Sequence, residues 1–125
     1  MANILVVDDS SLYLELARQA LVDHGHQVEL ANNGQEALQS VANKKPDLIL
    51  LDIVMPEMNG YDVLRSLKKS AENATIPVIL CSTKGEDFDK YWGLKQGANA
   101  YLTKPYEPTE LLLLVQEQLT AARNS

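Results

Sequence analysis

Ile4-Leu5-Val6-Val7-Asp8-Asp9 and Leu48-Ile49-Leu50-Leu51-Asp52 are built alike, an all-apolar run that stops abruptly in acid. Runs this short and apolar on both faces fit strands covered by helices on both sides of a parallel sheet. Val78-Ile79-Leu80-Cys81, entered from Pro77 and left through Ser82-Thr83, is another of the kind. Gln27-Val28-Glu29-Leu30 alternates polar and apolar residues, as an edge strand with one wetter face would, and Ala100-Tyr101-Leu102 is a shorter fifth candidate. Between them lie helical patterns. Leu12, Leu16, Ala17, Ala20 and Leu21 form a stripe, with Ser10 or Ser11 as its cap and Gly25 after its end. Ala37, Leu38, Val41 and Ala42 mark a second helix behind Asn32 or Asn33, and Val63, Leu64 and Leu67 a third, opened by Asn59-Gly60. A fourth is expected from about Gly85 to Gln96, and a fifth from Pro108 towards Ala122, with Pro108 in its first turn. Five strands alternating with five helices is an α/β pattern, and right-handed crossovers place helices on both faces.

The remaining composition narrows the class. The chain has 125 residues, of which 46% are hydrophobic, enough for one buried core and too short for two ordinary domains. A net charge of −6 argues against nucleic acid or an anionic membrane as the main partner. Cys81 has no second cysteine to bridge, and one cysteine with two histidines makes no structural zinc set. No apolar run approaches the ~18 residues of a membrane span, and the amino terminus lacks the basic-then-apolar layout of a signal peptide. The expectation is one cytoplasmic domain over residues 1–125.

Parallel strands bring their carboxyl ends to one rim, where ligands of such sheets bind. If the first and third strands are neighbours, Asp8, Asp9 and Asp52 converge there. A lone aspartate after a strand is commonly just a turn former; three acids ending two all-apolar strands are harder to dismiss. Clustered carboxylates repel unless a cation neutralises them, and a hard divalent ion, Mg²⁺ above all, suits an all-carboxylate site. Lys104, just past the fifth strand, supplies a further positive charge: three aspartates carry −3, Mg²⁺ and Lys104 together +3. Ser82 adds a hydroxyl donor at the end of the fourth strand.

Taken together, Asp8-Asp9, Asp52, Met55-Pro56 with Gly60, Ser82 and Lys104-Pro105 resemble the receiver domain of two-component response regulators, in particular its stand-alone CheY-like members. The resemblance runs from about Ile4 to Leu119. It implies a flavodoxin-like sheet of order 2-1-3-4-5, the order found in CheY, and no output domain. It implies that Asp52 is the phosphorylated residue, with a histidine kinase or a small phosphodonor as the source. Asp9, Asp52 and the backbone carbonyl of Val54 would hold Mg²⁺ directly, and Asp8 through a water. Lys104 would contact the phosphoryl oxygens, Ser82 would hydrogen-bond one of them, and Tyr101 would change rotamer as Ser82 moves. The stretch from Cys81 to Tyr106 is similar to receivers of type IV pilus twitching and related taxis systems.

Some positions depart from that pattern or exceed what a core needs. Val54 offers no side-chain hydrogen bond to an attacking water, so slow intrinsic dephosphorylation is expected, and Lys84 occupies the other position thought to tune it. Thr83 stands where the family more often has a smaller residue, which could narrow access to Asp52. Leu111, Val115 and Leu119 keep the stripe of the last helix, with Leu114 on its flank, and Leu112 and Leu113 are left over. Phe88, Tyr91 and Trp92 crowd the fourth helix. Leu112 or Leu113, with Tyr106, is expected on an exposed docking patch, and in the resembled family the face of the fourth helix, fifth strand and fifth helix commonly meets partner proteins. The expected assembly is a monomer or weak dimer.

Other readings of these residues fit less well. A Mg²⁺-dependent phosphohydrolase with an aspartate nucleophile usually needs a substrate-closing cap, for which the short loops leave no room. A flavin module would set a flavin phosphate against acids, with no Gly-, Ser- or Thr-rich loop to hold it. A receiver that signals without phosphorylation has no support while the acids, Ser82 and Lys104 are all present. A phosphate sink for a shared kinase would carry the same site.

Overall fold

The structure, a computed structural model, describes residues 2–124. Its elements run β1 (Asn3–Val7), α1 (Ser11–Asp23), β2 (Gln27–Ala31), α2 (Gly34–Asn43), β3 (Leu48–Asp52), α3 (Gly60–Lys69), β4 (Val78–Ser82), α4 (Asp87–Lys95), β5 (Ala100–Thr103) and α5 (Pro108–Arg123). All strand pairs are parallel, in the order β2-β1-β3-β4-β5. The expected architecture and order are those observed.

Strand alternation divides the core into two layers. Leu5, Val7, Ile49, Leu51, Val78 and Leu80 face α2 and α3, packing on Ala37, Val41, Val63, Leu64 and Leu67. Their neighbours Ile4, Val6, Leu48, Leu50, Ile79 and Cys81 face α1 and α5 through Ala17, Leu21, Leu111 and Val115. Both faces of β3 and β4 are covered, which is why those strands are apolar throughout. Edge strand β2 buries only Ala31 fully and leaves Leu30 exposed.

Helix starts follow from side chains that satisfy their first N–H groups. The Ser10 hydroxyl accepts from Tyr13 N, Asn33 Oδ1 from Glu36 N, and Asn59 Oδ1 from Asp62 N in a reciprocal capping box. Pro108 opens α5. Gly60 carries a further duty: a Cβ there would collide with the Asp52 carbonyl oxygen and lie 2.8 Å from Ile53 Cα. Only glycine lets α3 begin hard against the end of β3, folding the β3–α3 connection tightly beside Asp52.

Three expectations need correction. Leu12 and Leu16 are exposed; Ala17, Ala20 and Leu21 of the expected stripe do face the core, joined there by Leu14. Leu12, Leu16 and Ala20 keep a helical spacing, and so do Leu14, Ala17 and Leu21, and periodicity does not say which line lies at the centre of the buried face. Ala42 is likewise exposed, because α2 buries only its Ala37–Val41 side. Helix α4 is shorter than expected, starting at Asp87, with Glu86 N donating to Asp89 Oδ2 at 3.3 Å. Gly85 stays outside it, packed so closely on Thr103 that a Cβ would lie 2.5 Å from Thr103 Cγ2.

Candidate functional site

The register decides which strand ends meet. Val7 pairs with Leu51 and Asp52 with Cys81, so Asp8 and Asp52 leave adjacent strands at the same level. Asp8 N donates to Ala31 O, holding the chain at the rim for one residue more. Oxygens of Asp8, Asp9 and Asp52 all lie within 4.8 Å of one another. Asp8 and Asp52 are buried, 5% and 4% exposed, while Asp9 is exposed. Lys104, 8% exposed, reaches in from the end of β5. Its Nζ lies 2.7 Å from Asp8 Oδ2 and 3.3 Å from Asp52 Oδ1.

The electrostatics follow from two buried acids sharing one cation. Burial, and then the charge of Asp8, push the Asp52 carboxyl from its ordinary 3.8 up to about 7, against the pull of Lys104. For Lys104, burial disfavours the ammonium, but the hydrogen bond to Asp8 and the fields of Asp52 and Asp8 outweigh it and raise the pKa. One lysine therefore does not neutralise the cluster. The donor set is carboxylate oxygen only, with one acid still open to solvent, so the residues fit a hard divalent cation such as Mg²⁺ that retains several waters. Cys81 lies beneath the site, and burial pushes its thiol up to about 12, which keeps it neutral.

Other anticipated residues stand at the same rim. Ser82 is buried beside Thr103, its register partner, and its hydroxyl accepts from Lys84 N at 3.1 Å. Lys104 N donates to Ser82 O at 2.8 Å, linking the ends of β4 and β5. The Tyr101 hydroxyl donates to Lys84 O at 2.6 Å, so the phenol and Ser82 grip the same β4–α4 segment. Burial raises the Tyr101 phenol, and the Ser82 hydroxyl opposes that rise. Val54 follows Asp52 into the loop with its side chain exposed, as are Thr83 and Lys84.

The sequence reading leaves out Tyr13 and places Tyr106 elsewhere. The Tyr13 ring lies beneath Lys104, with Nζ 4.2 Å from its centroid, and the Tyr106 ring stands 5.7 Å from it at 46°. Tyr106 is thus half-buried against Tyr13 rather than on the docking patch where it was expected. An aromatic four residues past Asp9, in the first turn of a helix that starts at the rim, was the available signal. Of the patch itself, Leu113 is exposed and Leu112 half-buried, and on α4 Phe88, Tyr91 and Trp92 are all exposed.

Comparison with known proteins agrees with the geometry. Residues 4–116 match the response regulator receiver domain family. The chain is 45% identical over 119 residues to Protein PilH of Pseudomonas aeruginosa, covering 95% of this chain and 98% of that one. It is 39% identical over 109 residues to the alkaline phosphatase synthesis transcriptional regulatory protein PhoP of Bacillus subtilis, covering 87% of this chain but 45% of that longer protein. Among solved structures it superposes on the Vibrio cholerae chemotaxis protein CheY4 with a TM-score of 0.88 at 32% identity, over 94% of this chain and 98% of that one. No helix among the described residues is long and apolar enough to cross a membrane.

Proposed function

The chain belongs to the response regulator receiver domain family, and from that premise we propose that it accepts a phosphoryl group from a histidine kinase on Asp52. It is a signalling phospho-acceptor, not a turnover enzyme. The observation that carries the reading is the placement of Lys104 against both Asp8 and Asp52 inside a cluster of three carboxylates. Asp9, Asp52 and the Val54 carbonyl would hold Mg²⁺ directly, and Asp8 through a water. Bound there, Mg²⁺ would supply positive charge to offset that of the phosphoryl oxygens.

The rest is work for this chain's own residues. An Asp52 oxygen attacks phosphorus in line; the new O–P bond forms as the P–N bond to the donor imidazole breaks, its electron pair leaving with the ring. Lys104 transfers its contacts from Asp8 and Asp52 to the phosphoryl oxygens. Ser82 gives up the Lys84 N–H and hydrogen-bonds a second oxygen, drawing the β4–α4 segment inward. Tyr101 then loses its acceptor at Lys84 O and turns. That rearrangement alters the face of α4, β5 and α5, where Phe88, Tyr91, Trp92 and Leu113 are exposed to meet a partner protein. Likeness to PilH and to a chemotaxis protein supports a place in a cytoplasmic motility or taxis system.

The test is intact mass after incubation with Mg²⁺ and phosphoramidate, beside Asp52→Ala. One adduct of about +80 Da, absent without Mg²⁺ and absent in the variant, is expected. An adduct that survives in Asp52→Ala refutes the assignment.

A further inference from the structure

Beyond the acids and Lys104 themselves, the site contains a closed circuit of contacts that leads back to its starting residue. Asp8 Oδ1 accepts from Ser10 N at 2.9 Å. The Ser10 hydroxyl accepts from Tyr13 N at 3.3 Å, setting the first turn of α1. The Tyr13 ring lies 4.2 Å from Lys104 Nζ, and Nζ returns to Asp8 Oδ2 at 2.7 Å. We infer that Tyr13 is a positioning residue for Lys104, its ring holding the ammonium over the Asp8–Asp52 pair so that it meets the phosphoryl oxygens during transfer. This rests on the reading of Asp52 as the acceptor.

The chemistry explains why a ring stands there. Lys104 carries a compact charge on a flexible stem, and burial strips most water from it. Two of its sides face carboxylates. A third, left against an aliphatic side chain, would have nothing to replace the lost hydration. The electron-rich face of an aromatic ring supplies a charge-bearing surface at that side without adding an anion to a site already short of cations. It also competes weakly, so the ammonium is held in place yet free to exchange a carboxylate for a phosphoryl oxygen. The ring is itself held twice, by the Ser10 cap on its own backbone and by the Tyr106 ring tilted 46° to it at 5.7 Å. Tyr106 belongs to the loop that carries Lys104, so the Tyr13–Tyr106 contact ties α1 to the β5–α5 connection.

The experiment measures the rate of adduct formation with phosphoramidate and Mg²⁺ in the parent, Tyr13→Phe, Tyr13→Leu, Tyr13→Met, Lys104→Ala and the Tyr13→Leu/Lys104→Ala pair. Urea unfolding of each variant reports its fold. Tyr13→Phe keeps the ring face and is expected within about twofold of the parent. Tyr13→Leu fills similar space without the ring, and is expected to react roughly three- to thirtyfold more slowly. Tyr13→Met, unbranched and adaptable, gives the same answer if the leucine variant unfolds. In the Lys104→Ala background, Tyr13→Leu should cost nothing further, because the ring acts through the lysine. Parent-like rates in the folded Leu or Met variant overturn the inference while leaving Asp52 as acceptor. An equal slowing with and without Lys104 also overturns it, since that is a packing effect. A parent that takes up no phosphate overturns the acceptor reading and this inference with it.

Discussion

Asp52→Asn should make the Mg²⁺-free protein more stable at alkaline pH, although it removes the proposed phosphorylation site. The folded Asp52 carboxyl titrates near 7 against an ordinary 3.8, with burial and then Asp8 as the causes. A carboxyl whose pKa is raised by folding contributes stability that is fully present below the unfolded value and is lost as pH rises through the folded one. The gap corresponds to roughly 4 kcal/mol at full ionisation, taken as a ceiling. Asparagine keeps the shape, carries no charge, and leaves Lys104 its shorter contact with Asp8. Between pH 5.5 and 8 the advantage of Asp52→Asn over the parent should therefore widen by about 2 kcal/mol. Urea unfolding followed by circular dichroism, with EDTA present, measures it. Adding Mg²⁺ should narrow the difference, since the parent's acid cluster gains a ligand that the unfolded chain lacks. A difference that does not change with pH, or a variant less stable than the parent at pH 8, would refute the account of repulsion in the pocket.

Other expectations follow from single contacts. Asp9→Asn should weaken Mg²⁺ binding by more than about tenfold, read by titration calorimetry, while leaving the urea midpoint in EDTA nearly unchanged, because Asp9 is exposed. Val54→Asn should shorten the aspartyl-phosphate lifetime by roughly threefold or more, since the amide could orient an attacking water; an unchanged lifetime sinks the idea. Gly60→Ala should cost about 2 kcal/mol or more in urea unfolding and slow phosphorylation, because its Cβ meets the Asp52 carbonyl. Phe88→Ala and Trp92→Ala should alter stability by less than about 0.5 kcal/mol and leave the phosphorylation rate unchanged, because both side chains are exposed and outside the acid pocket.

The strands, the helices and the acids at the strand ends were legible in the residues alone, and the strand order that brings those acids together came with the family resemblance. Both faces of β3 and β4 are buried, so their apolar runs could be read without a partner in view. Asp8, Asp9 and Asp52 end strands, and parallel strands end at one rim. Likewise Asn59 and Gly60 could be placed, because capping and close approach are local demands on residue type.

The exact rotation of α1 and the places of the aromatics depend on tertiary packing. Leu12 and Leu16 keep a helical period as well as Leu14, Ala17 and Leu21 do, and periodicity cannot choose between two stripes on one helix. The choice is made by packing against the sheet and the neighbouring α5, which fixes the helix's rotation. Once that rotation is set, Tyr13 faces Lys104 across 91 positions of sequence, and Tyr106 packs behind it instead of facing solvent. Contacts of that kind depend on the angle and distance between elements, which no local pattern in the chain records.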